Sequence, residues 1–522
     1  MSKFVLLSFI LIYIIQPFSQ AQDSLVSYND LHFSSEFERV SFRKYFKEKD
    51  SKQPLAILLS TSTTINDQEF NTISNSISRI TNILISSGIE KKKPEKKIKL
   101  IYDQIHSTFL KKYELENRFN EIFTNGNYNC VTATALYSLI LDELEIAYEI
   151  KEEPTHVYIL AYPNTGNILI ETTSPLFGFL TFDLKFKQKF IENLKNQKMI
   201  GSLEMDTKST EELFNTYYFQ NEKIDIRKLI GLHYLNDALF KNDHEKTIEA
   251  FQQAEKAYFF YPSPRCEYLL MNFGVNTLAK EKLTPREKSI YVGKLSRNKK
   301  QGITNDMIKG EFANLTQDVL HRDNNKSLYK ECFSLISSYL DDKELADDLA
   351  YIYNYESGRV LYNQGNYNNA KPFFKQALKI QPNNVDLGGI FVNVLSQSFR
   401  NTKSNKHILD SLLFYQANFP SLNENNTFNS MIAMANAVQF GDEFRNGNNI
   451  NGELYKTNFE SLIEKNNSLN INAMVVGEAY SQACVYYFKK GQKSKAKSIL
   501  QKGLEISPDS YELRMRKQML SN

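Results

Sequence analysis

The sequence predicts an α+β domain followed by a long all-α solenoid. Two patterns carry that expectation. Between Cys130 and Glu171 one helical run is followed by three short β-like runs. From about residue 205 onward the pattern is helical almost throughout and contains an internal repeat. Chain length agrees with both, because 522 residues exceed what one compact core holds and two or more units are expected.

The N-terminus comes first. Lys3 precedes an apolar run from Phe4 to Ile15, broken only by Ser8 and Tyr13, and Ser19-Gln20-Ala21 places small residues where a signal peptidase reads. The run is about 12 residues, short of the roughly 20 that a bilayer-spanning helix needs. A signal peptide over residues 1–21, cleaved after Ala21, is therefore expected. It implies a secreted or periplasmic mature protein with no stable membrane insertion. Residues 22–54 are polar and charged with scattered aromatics, which reads as a loosely structured lead-in.

Residues 55–204 read as the α+β domain. Ile73, Ile77, Ile80, Ile83 and Leu84 recur at helical spacing. The basic run Lys91-Lys92-Lys93-Pro94-Glu95-Lys96-Lys97 is a solvated loop and helix start, followed by a helix with Ile98, Ile101, Ile105, Phe109 and Leu110 on one face. His106 lies on that helix beside apolar residues and is placed toward the core. Asn125-Gly126-Asn127 is a turn, and Asn129 caps a helix that begins at Cys130. Three β runs follow, at Ala147–Lys151, Val157–Tyr162 and Ile168–Glu171, the last two joined by the turn Pro163-Asn164-Thr165-Gly166-Asn167.

Residues 205–522 read as the solenoid. Around 351–384 the chain has Gly358, Gly365, Tyr367, Ala370, Phe374, Ala377 and Pro382. Around 477–510 it has Cys484, Tyr487, Gly491, Ala496, Leu500, Gly503 and Pro508, at the same offsets from the proline. A fainter unit ends at Pro262, with Ala238, Ala250 and Ala257, and the stretches near 265–350 and 385–476 read as degenerate helix pairs. These spacings resemble the tetratricopeptide repeat of about 34 residues, in which small residues let two antiparallel helices pack closely and proline ends the second. A tetratricopeptide-like solenoid implies a surface that binds a protein or peptide.

Composition narrows the function. The apolar content of 42% suffices for a folded protein, and 63 basic against 60 acidic residues leave a formal charge of +3. That balance gives no footprint for nucleic acid. The four cysteines are far apart, which suits neither a metal site nor a disulfide framework. His32, His233, His244, His321 and His407 form no cluster with carboxylates at metal-ligand spacing, and no glycine-rich phosphate loop occurs. No cofactor and no metal are expected.

Chemistry concentrates at Cys130, His156 and Glu171, which stand at a helix start, a strand start and a strand end. The thiolate is the reactive form of cysteine, and a helix N-terminus favours it through its unpaired N–H groups and dipole. A histidine on a neighbouring strand can exchange the thiol proton, and an acid beyond it can fix the imidazole's orientation. Backbone N–H groups at the helix start can hold an oxyanion.

Residues 126–171 resemble the core of the transglutaminase-like superfamily, which shares its architecture with papain-type thiol proteases. The motifs are Asn129-Cys130 with Gly126 upstream, His156-Val157-Tyr158, and Ile170-Glu171-Thr172-Thr173. The resemblance extends over roughly residues 95–200. It implies an α+β transglutaminase-like (papain-type) domain with Cys130 as nucleophile, His156 as general base and acid, and Glu171 as the orienting group. Two departures are plain. Gly126 is separated from Cys130 by Asn127, Tyr128 and Asn129, and the acid is Glu where the superfamily more often has Asp. Asn125, Asn127 and Tyr128 are alternatives for the second oxyanion donor.

Two functions are compatible with these features. The first is an exported transglutaminase-like cysteine hydrolase, a peptidase or amidase that works through a Cys130 thioester while the repeats recruit a protein or peptide. The second is a non-catalytic adaptor whose functional part is the repeat array.

Overall fold

The computed structural model describes residues 25–47, 53–153, 155–163, 165–173, 178–180, 184–196, 200, 208–218, 222–400, 402 and 404–521. The signal peptide expected over 1–21 lies outside the described residues. Two compact units divide the chain, Met1–Leu283 with Arg297–Ile303, and Thr284–Ser296 with Thr304–Asn522.

The first unit begins with an ordered segment where the sequence suggests a loose one. Helix Glu36–Lys47 buries Phe42 and Glu38 completely. Phe42 packs edge-on against Phe33, Tyr234 and Phe260, with ring centroids 5.0, 5.9 and 5.3 Å away. Glu38 accepts from Lys256 Nζ at 2.7 Å, Tyr234 Oη at 3.1 Å and the Ser34 N–H at 2.7 Å. Glu38 and Ser41 sit on the buried face beside Phe42, so the inward stripe is not wholly apolar. Burial holds the Lys256 ammonium below its usual range, against the pull of Glu38.

Further helices run Gln53–Leu59, Asp67–Ser86 and Pro94–Thr108. Asn66 and Glu69 form a capping box at the second, and Pro94 occupies the first turn of the third. Strands β1 (Lys112–Tyr113) and β2 (Asn127–Tyr128) make a short parallel pair. The remaining strands are β3 (Tyr148–Glu153), β4 (His156–Ala161), β5 (Ile168–Ile170), β6 (Phe179–Leu180) and β7 (Glu222–Ile224). They form one antiparallel sheet in the order β6-β5-β4-β3-β7. Strand β4 is central, which is why Val157–Ala161 is buried without alternation. Helix Cys130–Glu143 packs on it and is buried throughout Val131–Leu141.

Strands β6 and β7 are too short to leave a sequence pattern. Strand β7 lies in the stretch read as repeat, and the first unit runs on to Leu283 through helices Ile226–Asp243, Thr247–Phe260 and Pro264–Lys280. The compact division thus falls well past residue 204.

Two histidines in this unit are held neutral. His233 is fully buried with Nε2 3.0 Å from Thr61 Oγ1, and burial lowers its pKa to about 4. Burial lowers half-buried His106 likewise to about 4. A histidine depressed in the folded state is protonated first in the unfolded chain, so its contribution is present above about pH 6.5 and lost as pH falls toward the folded value. The melting temperature is expected to drop from about pH 7 to about pH 5.5, and His233→Gln is expected to drop less across that window. Equal slopes in both proteins would contradict the assignment.

The second unit is helical throughout its described residues. Helices Lys343–Asn363 and Tyr367–Ile380 form one antiparallel pair, and Ala473–Lys489 and Lys493–Ile506 another. Gly503 explains the small-residue rule: an added Cβ would lie 2.8 Å from Tyr480 Cβ on the facing helix. The intervening pairs are Val385–Phe399 with Asn405–Asn418, and Asn426–Arg445 with Asn449–Lys465. Phe374, Phe391 and Phe428 share one core, and Phe440, Tyr480 and Leu513 the next. Among the described residues no helix is long and apolar enough to cross a membrane.

Candidate active site

Gly126 starts the approach to Cys130. Its φ of +79° favours glycine, and a Cβ there would lie 3.1 Å from the Phe109 carbonyl oxygen. A buried polar chain then sets the helix start. The Asn129 carboxamide oxygen accepts from the Thr132 N–H at 3.0 Å, and Thr132 Oγ1 accepts from the Asn129 N–H at 2.9 Å. Thr132 Oγ1 donates to Asn117 Oδ1 at 2.7 Å, and Asn117 Nδ2 donates to the Asn127 carbonyl at 2.8 Å. Asn129 Nδ2 donates to the Leu115 carbonyl at 3.0 Å. With Asn129 as cap, Cys130 is the first residue of the helix, and its side chain is partly exposed. The amides of Cys130 and Val131 find no acceptor among the described residues, as expected of a first helical turn.

His156 opens β4 opposite Glu153, and Glu171 follows directly after β5. His156 Nε2 lies 3.1 Å from each Glu171 carboxylate oxygen. The Cys130 side chain is near enough to the same imidazole to raise its pKa. With Nε2 engaged by the carboxylate, Nδ1 is the ring nitrogen left for the thiol. Glu171 also accepts from the Thr173 hydroxyl at 2.8 Å and its N–H at 3.2 Å.

The electrostatics follow from this row. Cys130 and then Glu171 outweigh burial and push His156 up to about 10. Burial raises the Glu171 carboxyl, but hydrogen bonds from His156 and Thr173 together hold it below its ordinary value. The Glu171 carboxylate thus favours the charged form of the imidazole. Its linkage runs opposite to that of His233: the stabilisation is complete below the unfolded pKa of about 6.5 and fades as pH rises through the folded value.

Tyrosines line the site. The Tyr113 phenol lies near Cys130 and Glu171, its ring 5.9 Å from Tyr128, and the side chain is half exposed. Tyr102 stands close to Tyr128 and Glu171, and burial pushes its phenol up to about 12. His106 stacks on Tyr102 at 4.2 Å. Of the alternative oxyanion donors, Asn125 is exposed and its carboxamide oxygen accepts from the Asn127 N–H at 2.9 Å. Asn127 pairs with Lys112 across the short sheet, and Tyr128 is buried between His106 and Tyr113.

The structure thus brings Cys130, His156 and Glu171 together. Tyr102, Tyr113 and Thr173 are the neighbours that sequence reasoning passed over. Thr173 lay within the quoted motif, whereas two tyrosines among 30 carry no signal of their own. Cys266, Cys332 and Cys484 are buried and unpaired, and burial raises each thiol pKa. Among the described residues no group of His, Cys, Asp and Glu is arranged to hold a metal ion.

Comparison with known proteins speaks to the second unit. Residues 352–384 and 478–510 each match the tetratricopeptide repeat family, within a residue of the units read from small-residue spacing. The C-terminal part of the chain therefore carries tetratricopeptide repeats, a class of helical repeat associated with protein–protein interaction. No curated protein matches the chain.

Proposed function

We propose that the first unit is a transglutaminase-like domain and the protein an exported cysteine hydrolase, a peptidase or amidase, whose repeats recruit the protein or peptide it cleaves. The observation that supports this most is Cys130 at a helix start beside a His156 whose imidazole hydrogen-bonds to Glu171. In this reading the Cys130 thiolate attacks the amide carbon, and the first-turn amides receive the developing oxyanion. The His156 imidazolium gives its proton to the departing amine as the C–N bond breaks, which leaves a thioester. Neutral His156 then takes a proton from water, the hydroxide attacks the thioester carbon, and the carboxylic acid leaves as the thiolate and imidazolium return. Tyr113 offers the substrate an aromatic surface beside the thiol.

The pH dependence of iodoacetamide alkylation at each cysteine, followed by mass spectrometry, tests the reading. Cys130 is expected to react below its ordinary thiol range of about 8.5 and to lose that reactivity in His156→Ala. Cys266, Cys332 and Cys484 report on folding by staying protected. The repeat matches favour a second reading, a non-catalytic adaptor. A Cys130 that reacts only at alkaline pH, or only on unfolding, would establish it.

A further inference from the structure

A pair of buried hydroxyls joins the three segments that carry Cys130, His156 and Glu171. Thr134 lies four residues after Cys130, one turn along the same helix face. Its Oγ1 lies 3.2 Å from Thr172 Oγ1 and 3.4 Å from the Val157 carbonyl oxygen. Thr172 is the residue after Glu171, and Val157 the residue after His156. Both threonine side chains are fully buried, so water does not substitute for either bond. Donor count fixes the direction. Thr134 has one O–H, which goes to the carbonyl, so Thr172 donates to Thr134 Oγ1.

We infer that Thr134 is a positioning residue, which through Thr172 and Val157 fixes the Cys130 helix at the distance from β4 and β5 that lets the thiol, imidazole and carboxylate form one row. The inference rests on the thiol-enzyme reading above. It also accounts for a buried hydroxyl at this position of the helix. A valine has the same shape and would bury there without a hydrogen-bond requirement, so packing alone does not call for the hydroxyl.

Thr134→Val tests this in the full chain, with Thr134→Ser as the conservative comparison. In Thr134→Val, Cys130 alkylation at about pH 6 is expected to fall about tenfold, and its pH profile to move to more alkaline values. Thr134→Ser keeps the hydroxyl and is expected to stay within about twofold of wild type. A Thr134→Val protein with the wild-type profile and protected control cysteines overturns the inference. If that variant exposes the control cysteines, Thr172→Val decides, because it removes the donor and leaves Thr134 on the Val157 carbonyl. Reduced Cys130 reactivity then supports the role and an unchanged profile overturns it. A wild-type Cys130 whose reactivity does not depend on His156 would instead remove the thiol-enzyme reading itself.

Discussion

Replacing Glu38 with leucine is expected to cost the first unit about 3–5 kcal/mol. Glu38 and Lys256 are both wholly buried at 2.7 Å, and the Lys256 ammonium lies over the rings of Phe33 and Tyr234. Without the carboxylate, a cation is left in an apolar pocket with no anion in contact, and that desolvation is the main loss. Lys256→Met should cost less, because Glu38 keeps the Ser34 N–H and the Tyr234 hydroxyl. The double replacement should recover most of the loss, since two apolar side chains fill the volume without either charge. Urea titration of the four proteins, followed through the first unit's transition, checks the cycle. Additive losses would mean that the two charges are not coupled.

Glu171→Gln is expected to lower the His156 midpoint well below about 10. The carboxylate and the Cys130 side chain are what hold His156 at about 10. A glutamine retains the shape and a hydrogen bond to the ring, but it lacks the charge that favours the imidazolium. Loss of an adjacent carboxylate lowers such a histidine by about 1–3 units, and each unit is about 1.4 kcal/mol off the charged pair. NMR titration of the His156 ring should show the drop directly. A His156 midpoint unchanged by the substitution would remove the electrostatic account.

Much of the candidate site was legible because its parts obey local rules. Asn129 before an apolar helical run marks a cap, and β-like runs beginning at His156 and ending near Glu171 mark neighbouring strands. The repeats were legible for a similar reason: close helix contact demands small side chains at fixed offsets, and Gly503 against Tyr480 is that demand in atoms. Contacts made across long sequence separation left no trace. Glu38 looks like a surface charge until Lys256 and Tyr234 surround it, so the helix around it read as loose lead-in. Strand β7 has three residues and becomes a strand only because β3 offers an edge. Thr134 is one of several hydroxyls in its helix, and its partners belong to the ends of two other strands.

The bond between Glu38 and Lys256 closes a loop of 218 residues, and the Arg297 guanidinium reaches back 267 residues to Asp30. This sets the order of events during synthesis. A ribosome must deliver the chain past residue 256 before the first helix has its counterion, and past 224 before β3 has its outer neighbour. Until then the N-terminal half presents an unpaired strand edge and a carboxylate with no cation to neutralise it in the core, a state prone to intermolecular pairing. Long-range closure of this kind makes folding slow. A chain cut at residue 204 therefore lacks β7 and the Lys256 counterion that complete the first unit.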